Sequence, residues 1–298
     1  MKLTVKKIPV LRVVFNKYTV LFLNGFLLAC LFYCKMENDY ENELFKEMAD
    51  YVKDRAGTSA PSEETLVLQS LHFIHFMGQT RSGIFNKKEI SALKSSIHPL
   101  SYDLMTFKGA CTSYAFILSR LLNELHITTR IAQMRVNGLY GGHILVEAKM
   151  AKGWAVLDGN YDLCFRKRDG GLASFADVQG HWNSYHNQVP ANYNEAYRYE
   201  GVRYTNWNKI PIVMPLLKDV FYLFLGHNRT ESLSLRTMLL NKYRILFRII
   251  IGLFLFEALA AIYIYWRKYG KPVTANSHGS FQIKNAPING FKSKIDQA

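Results

Sequence analysis

Cysteine is scarce in this chain. Of 298 residues only four are cysteines, and two of these, Cys30 and Cys34, lie inside an apolar segment. The other two, Cys111 and Cys164, show no CxxC spacing, although a single bridge between them stays open. The chain is therefore neither a disulfide-rich secreted scaffold nor a zinc-cluster protein, and we expect no metal and no cofactor.

A basic patch is also missing from the middle of the chain, despite a net charge of +14. Residues 1–17 carry five basic and no acidic side chains, and residues 267–298 carry six basic and one acidic. Residues 35–241 hold 23 basic and 21 acidic side chains, so the excess lies at the two ends. Because a nucleic-acid surface needs clustered Lys and Arg on the folded domain, we expect no nucleic-acid partner.

Two long apolar segments flank this middle region. Residues 18–34 contain no charge, and residues 245–266 are long enough to cross a hydrocarbon core. Basic side chains border the outer end of each segment, so the positive-inside rule places both termini in the cytoplasm. We predict a cytoplasmic leader (1–17), a transmembrane helix (18–34), an extracytoplasmic domain (35–241, core 60–210), a second transmembrane helix (245–266) and a cytoplasmic tail (267–298). Three basic residues at the outer end of the second helix run against this topology: Lys242, Arg244 and Arg248.

The first apolar segment has a second interpretation as a cleavable signal. The run Leu27-Leu28-Ala29-Cys30 resembles a bacterial lipobox, which would place a lipid on Cys30. We favour a retained anchor and keep the lipoprotein as the alternative. In both cases the lipid bilayer is a partner, and the domain lies on the extracytoplasmic, periplasmic face of the cell or inner membrane.

Two polar residues stand out inside the predicted membrane helices. Glu257 is costly in a hydrocarbon core and calls for a partner, and Asn24 is the strongly polar candidate at comparable depth. We predict a helix pair joined by Asn24 and Glu257, with a membrane partner protein for Glu257 as the alternative.

The region between the apolar segments mixes helical and strand periodicity, which predicts an α+β fold. Helices are expected over 37–55, from a cap at Ser62, and over 112–125; strands over 127–136, 143–148 and 154–158; a loop over 137–142; and an amphipathic piece over 211–225. We expect the helix at 112–125 to pack on a small antiparallel sheet formed by the strands.

Three residues with complementary chemistry lie in this region. Cys111 follows Gly109-Ala110 and opens a helix, His143 follows two glycines and opens a strand, and Asp158 closes the next strand. A thiol nucleophile needs a base to ionise it, and that base needs an acceptor to orient its ring. The helix start would also stabilise a thiolate and lower the pKa of Cys111. The pattern therefore predicts a Cys-His-Asp active site.

The predicted hairpin tests whether His143 and Asp158 can meet. A turn centred on residues 149–152 pairs residues whose numbers sum to 301, which sets His143 directly opposite Asp158. Their Cβ atoms would then lie roughly 4.5–5.5 Å apart. Trp154 would share the face of Asp158 and shield the site from water. A slip of one residue would put the two side chains on opposite faces of the sheet.

These motifs resemble the transglutaminase-like superfamily, whose fold is papain-like. The resemblance spans about residues 105–165 and is carried by Gly109-Ala110-Cys111, by Gly-Gly-His143 and by Gly153-Trp154-x-x-x-Asp158. It implies that Cys111 is the nucleophile, His143 the base and Asp158 the orienting group. The upstream oxyanion tryptophan of transglutaminases proper is missing, because the first tryptophan here is Trp154. Candidate oxyanion donors are the N–H of Cys111 and, as in papain-like enzymes, the side chain of Gln79.

We therefore expect a membrane-anchored thiol enzyme that attacks amide bonds of peptide or protein substrates through an acyl-enzyme. Hydrolysis and acyl transfer stay open, and protein crosslinking is not supported over hydrolysis. The alternative is an inactive scaffold of the same fold that binds peptide or polysaccharide in envelope assembly. Its cleft would use aromatic residues for which plain packing is a third interpretation: Trp182, Tyr185, Tyr193, Tyr197, Tyr199, Tyr204 and Trp207.

Overall fold

A computed structural model describes residues 17–58, 60–85 and 99–269. The chain divides into two compact units, Met1–Gly252 and Leu253–Ala298. Most of the predicted basic leader (residues 1–16) and most of the predicted tail (residues 270–298) lie outside the described residues.

The sequence predicts a membrane helix over 18–34 and a separate helix over 37–55. In the structure they form one helix, α1 (Lys17–Arg55), because the apolar and acidic segments follow one another without a break. Its second half packs into the domain through the buried side chains of Phe45, Ala49 and Val52. Among the described helices, α1 is the one long and apolar enough to cross a membrane. Only 6% of its apolar 18-residue stretch is buried inside the protein. A signal sequence near an N-terminus satisfies the same criterion, so length and composition alone do not distinguish the two.

Three further helices precede the sheet: α2 (Glu63–Ile84), α3 (Leu100–Thr106) and α4 (Cys111–Glu124). Helix α2 begins at the predicted cap, where the Ser62 hydroxyl accepts a hydrogen bond from the N–H of Thr65. The helical stripe predicted after residue 112 forms the buried face of α4, with Ile117, Leu118 and Leu121 fully buried. These side chains pack against α1, α2 and one face of the sheet.

The sheet has five antiparallel strands in the order β4-β3-β2-β1-β5. The strands are β1 (Thr129–Val136), β2 (Leu139–Met150), β3 (Gly153–Asp158), β4 (Leu163–Cys164) and β5 (Val202–Arg203). Helix α4 covers one face. A second apolar cluster covers the other face and includes α5 (Phe175–Gly180), with the short helix α6 (Trp182–Tyr185) and a 3-10 turn (His186–Gln188) beside it. The α+β class and the small antiparallel sheet are confirmed.

Both hairpin turns are tighter than the sequence predicted. The expected loop over 137–142 is wrong, because β2 starts at Leu139 and His143 lies inside the strand. Asn137 and Gly138 have φ angles of 49° and 81°, which form the two-residue turn that best matches the strand twist. The β2–β3 turn is also shorter than predicted, since Met150 pairs with Gly153.

The C-terminal part of the description is helical: α7 (Val213–Leu225), α8 (His227–Glu231), α9 (Leu235–Met238), a 3-10 turn (Leu239–Asn241) and α10 (Lys242–Tyr269). Helix α10 contains the second predicted membrane segment, but only α1 meets the criterion for a span within the described residues. The side-chain amide of Asn24 donates to the carbonyl of Val20 in its own helix at 2.8 Å. The pairing of Asn24 with Glu257 stays a prediction.

Candidate active site

His143 and Asp158 form a buried hydrogen-bonded pair. The distance between His143 Nε2 and Asp158 Oδ2 is 2.7 Å, and the two residues are 0% and 1% exposed. The register between their strands is not the predicted one. Val146 pairs with Leu157 and Met150 with Gly153, so paired numbers sum to 303 rather than 301. Because this shift is two residues, both side chains stay on one face of the sheet and meet as diagonal neighbours.

The second carboxylate oxygen of Asp158 is held from the main chain. The N–H of Asn160 donates to Asp158 Oδ1 at 3.1 Å, while Oδ2 faces the imidazole. Both oxygens therefore have a hydrogen-bond partner, as a buried carboxylate requires. These two hydrogen bonds fix the orientation of the Asp158 carboxylate relative to the His143 ring.

Cys111 is the first residue of α4 and is half-buried. Burial alone would raise the pKa of the thiol, but its interaction with His143 and the N–H of Ile144 lowers the pKa below the ordinary value. Burial alone would lower the pKa of His143, but the charge and hydrogen bond of Asp158, with the thiol, raise it to about 10. The two shifts together favour a thiolate beside an imidazolium.

The ring nitrogens of His143 have different surroundings. Nε2 is committed to Asp158, while Nδ1 is buried and makes no hydrogen bond of ordinary geometry within the described part of the chain. The Cys111 thiol interacts with this ring without forming such a bond, as is common in active sites before substrate binds. Nδ1 is therefore the ring nitrogen that is available to accept the proton of the Cys111 thiol.

A buried serine holds the turn that leads into Cys111. The hydroxyl of Ser113 donates to Asp103 Oδ1 at 2.7 Å and accepts from the N–H of Gly109 at 2.9 Å. A Cβ at Gly109 would lie 2.5 Å from the Ser113 hydroxyl oxygen, so only glycine fits there. Ala110 follows in a strained conformation, with φ at 46° and ψ at −129°. The N–H of Cys111 makes no hydrogen bond within the described residues and can donate to an oxyanion.

Tyrosines cover the imidazole. The ring of Tyr197 stacks on His143 with centroids 4.2 Å apart and an interplanar angle of 12°. Tyr161 meets the same imidazole edge-on at 6.1 Å, and Tyr193 packs against Tyr161 at 4.7 Å. These rings shield the His143–Asp158 hydrogen bond from water, the role that the sequence assigned to Trp154.

Trp154 contacts another part of the sheet, and no contact in the described residues joins the Gln79 side chain to the three residues. Trp154 shares the sheet face of Asp158, but its ring lies against the guanidinium of Arg130, 4.1 Å from the ring centroid. Arg130 is in turn paired with the buried carboxylate of Glu147 at 2.9 Å. Gln79 is exposed on α2, and its side chain makes no hydrogen bond within the described residues. Its role as an oxyanion donor stays a prediction.

Several members of the aromatic stretch are core residues. Tyr193, Tyr199 and Trp207 are buried, and Tyr199 packs between Phe165 and Phe175. Packing is therefore the role that the structure shows for these three. All four cysteines are free, so Cys111 and Cys164 form no bridge. Among the residues described, no group of three His, Cys, Asp or Glu side chains is arranged to hold a metal ion.

No protein-family model, curated protein or solved structure matches this chain. The resemblance to transglutaminase-like proteins therefore depends on the residues around Cys111, His143 and Asp158, and it stays a prediction.

Proposed function

We propose that this chain is a membrane-anchored thiol enzyme of the transglutaminase-like, papain-like type, with Cys111, His143 and Asp158 as its triad. The observation that carries the proposal is the buried 2.7 Å bond between His143 and Asp158, at a helix start that presents a thiol to the same imidazole. Metal-free acyl transfer needs a nucleophile, a base and an orienting group, and these residues have the chemistry for those three roles.

The reaction would begin with transfer of the Cys111 proton to Nδ1 of His143. The thiolate then adds to the carbonyl carbon of an amide, and the N–H of Cys111 donates to the oxyanion. When the C–N bond breaks, the imidazolium gives its proton to the leaving amine and a thioester remains. Water or a second amine attacks that thioester, His143 accepts the attacking proton, and the free thiol is restored. The first route is hydrolysis and the second is acyl transfer.

The membrane placement is part of the same proposal. The apolar half of α1 supports an anchor, and the basic flanks of residues 18–34 and 245–266 support a domain outside the cytoplasm with both termini inside. The substrate would then be a peptide or protein amide of the cell envelope. Lipidation at Cys30 is the alternative way of holding the domain at the membrane.

An electrophilic thiol probe with mass-spectrometric mapping tests the nucleophile in the full chain. We expect the probe to label Cys111 at neutral pH, because its pKa is lowered, and to spare Cys164, whose pKa is raised by burial. Cys164→Ala is the matched control and should leave the labelling rate unchanged. Labelling of Cys164 in place of Cys111, or of neither, would contradict the proposal. A Cys111→Ala strain with an unchanged phenotype would favour the scaffold alternative.

A further inference from the structure

Two arginines, Arg203 and Arg236, lie on the side of the sheet that helix α4 covers. Arg203 of β5 pairs with Gln133 of β1, and Gln133 pairs with Ile144 of β2. Residues that pair directly point to the same face of an antiparallel sheet, and Ile144 faces α4. Arg203 therefore lies on the face that carries Cys111, roughly 10 Å across two strands from Ile144. Its Nε donates to Gln133 Oε1 at 3.2 Å, which directs the guanidinium along this row.

Arg236 belongs to α9, a helix on the same side of the sheet. The turn of chain around it is tied to β1, since the N–H of Ile131 donates to the hydroxyls of Ser234 and Thr237 at 3.1 and 3.2 Å. The N–H of Leu235 donates to the hydroxyl of Thr205, two residues after Arg203. Helix α9 packs against both β1 and α4. The segment that carries Arg236 is thus packed against β1 and α4 and is tied to Thr205, just after Arg203.

Both arginines lack an acidic partner within the described part of the chain. Arg203 bonds only to the neutral oxygens of Gln133 and Tyr140, and half-buried Arg236 makes no hydrogen bond or ion pair there. Three other arginines of the domain, Arg120, Arg130 and Arg166, each pair with a glutamate. A half-buried guanidinium is normally paired, because removing its charge from water is costly.

Arg236 is close enough to Arg203 and Cys111 to respond to the charge of each. Burial lowers the pKa of Arg236, the positive charge of Arg203 lowers it further, and a negative charge on Cys111 raises it. Two like charges held together without an acid are stabilised when an anion joins them. A substrate carboxylate would supply that anion, and a guanidinium fork binds a carboxylate through two parallel hydrogen bonds.

We infer that Arg203 and Arg236 bind a carboxylate of the substrate, so that this enzyme acts on amides whose acyl donor carries an acidic group near the scissile bond. The inference rests on the proposed function, because it takes Cys111 as the attacking group. It assigns a substrate class to the site without requiring a particular leaving amine.

Matched pairs of alkylating reagents test this inference in the full chain. Iodoacetate and iodoacetamide differ in a carboxylate, and N-iodoacetylglycine and its amide place that difference further from the reacting carbon. The readout is the acid-to-amide ratio of Cys111 labelling rates, obtained by mass spectrometry of the Cys111 peptide. This ratio removes effects of a variant on the thiol itself, since both reagents need the same thiolate.

We expect the ratio for at least one reagent pair to fall roughly 10-fold in Arg203→Met/Arg236→Met and less in each single variant. Arg236→Lys should restore part of the ratio by returning the charge without the fork. The matched control is Arg168→Met, which removes an equal charge at an exposed turn and should change nothing. In the unaltered protein, N-acetylglycine should protect Cys111 from iodoacetamide better than N-acetylglycinamide does, a readout independent of variant folding.

The inference is overturned if the double variant keeps the ratio, if Arg168→Met lowers it equally, or if the two glycine derivatives protect alike. These outcomes leave Cys111 labelled by iodoacetamide and so leave the proposed function standing. Failure of every reagent to label Cys111 would instead remove the proposed function, and this inference with it.

Discussion

Within the described residues, two histidine–aspartate pairs have the same bond length and different surroundings. His143 Nε2 lies 2.7 Å from Asp158, with both side chains buried. His72 Nδ1 also lies 2.7 Å from Asp162, but its side chain is 72% exposed and that of Asp162 is 29% exposed. The distance between the two groups therefore says nothing about which pair is suited to catalysis.

Burial makes the difference between the pairs. The attraction between an imidazolium and a carboxylate is several times stronger in a protein interior than in water, where it is also screened by salt. Around His143 the tyrosines exclude water, so the charge of Asp158 outweighs the cost of burying the ring and raises its pKa. The exposed pair resembles a surface ion pair, which stabilises a protein by about 0–1 kcal/mol.

Removing each imidazole gives the largest expected contrast. We expect His143→Ala to slow iodoacetamide labelling of Cys111 at pH 7 by about 10³-fold, because the thiol loses the group that ionises it. His72→Ala should leave the rate within about twofold, since an exposed ion pair contributes little. Equal rates in His143→Ala and the unaltered protein would show that another group activates the thiol.

Neutralising each carboxylate without changing its size gives the next contrast. Asp158→Asn should slow the same labelling by roughly 10²-fold, because the imidazolium loses its buried counter-charge. Asp162→Asn should have no measurable effect. If the two variants behave alike, the hydrogen bond to Asp158 does not control the reactivity of Cys111.

The buried pair also predicts how stability depends on pH. The pKa of His143 is raised from 6.5 to about 10, so its stabilising contribution is full below pH 6.5 and disappears as the pH rises through about 10. In a Cys111→Ala background, which removes the contribution of the thiol and keeps the larger one of Asp158, Tm should fall as the pH rises above 6.5. Cys111→Ala/Asp158→Asn should lose less over this range. A parallel pH dependence in the two proteins would contradict a charged His143.

The stacked tyrosine should have the smallest effect. Tyr197→Leu removes an aromatic face from the imidazolium, and such contacts contribute about 0.5–1.5 kcal/mol, so labelling should slow roughly 2- to 10-fold. Tyr197→Phe keeps the face and should retain the rate. The pH at which Cys111 becomes half-ionised should rise in Tyr197→Leu alone. An unchanged pH profile would reduce Tyr197 to a packing residue.

The part of the site that the sequence predicts follows from the alternation of residues along each strand. It does not require the exact pairing of residues between the strands. The period-two alternation of β2 and β3 placed His143 and Asp158 on one face, and a register error of two residues left that conclusion intact. The error arose at the turn, where Ala151 and Lys152 suffice because Gly153 adopts a φ of 121°. Hydropathy does not distinguish turn lengths, so residues 149–152, which are polar at both ends, predict a four-residue turn equally well.

The supporting side chains could not be predicted in the same way. Tyr197 lies 54 positions after His143 in a segment without regular periodicity, so nothing in the sequence places its ring on the imidazole. Ser113 and Asp103 are joined across a turn whose shape depends on the left-handed conformation of Phe107, with φ at 47°. Contacts of this kind follow from tertiary packing, which local patterns do not encode.

Helix α1 runs unbroken for 39 residues, about 58 Å at the usual rise, from its apolar beginning into the core of the domain. A domain on a flexible tether sweeps a volume and meets substrates at many heights above a bilayer. With the apolar half of α1 in a membrane, this domain would instead be held by a rigid helix. The candidate active site would then lie at a fixed height above the bilayer, and a polymeric substrate would react only where it passes at that height.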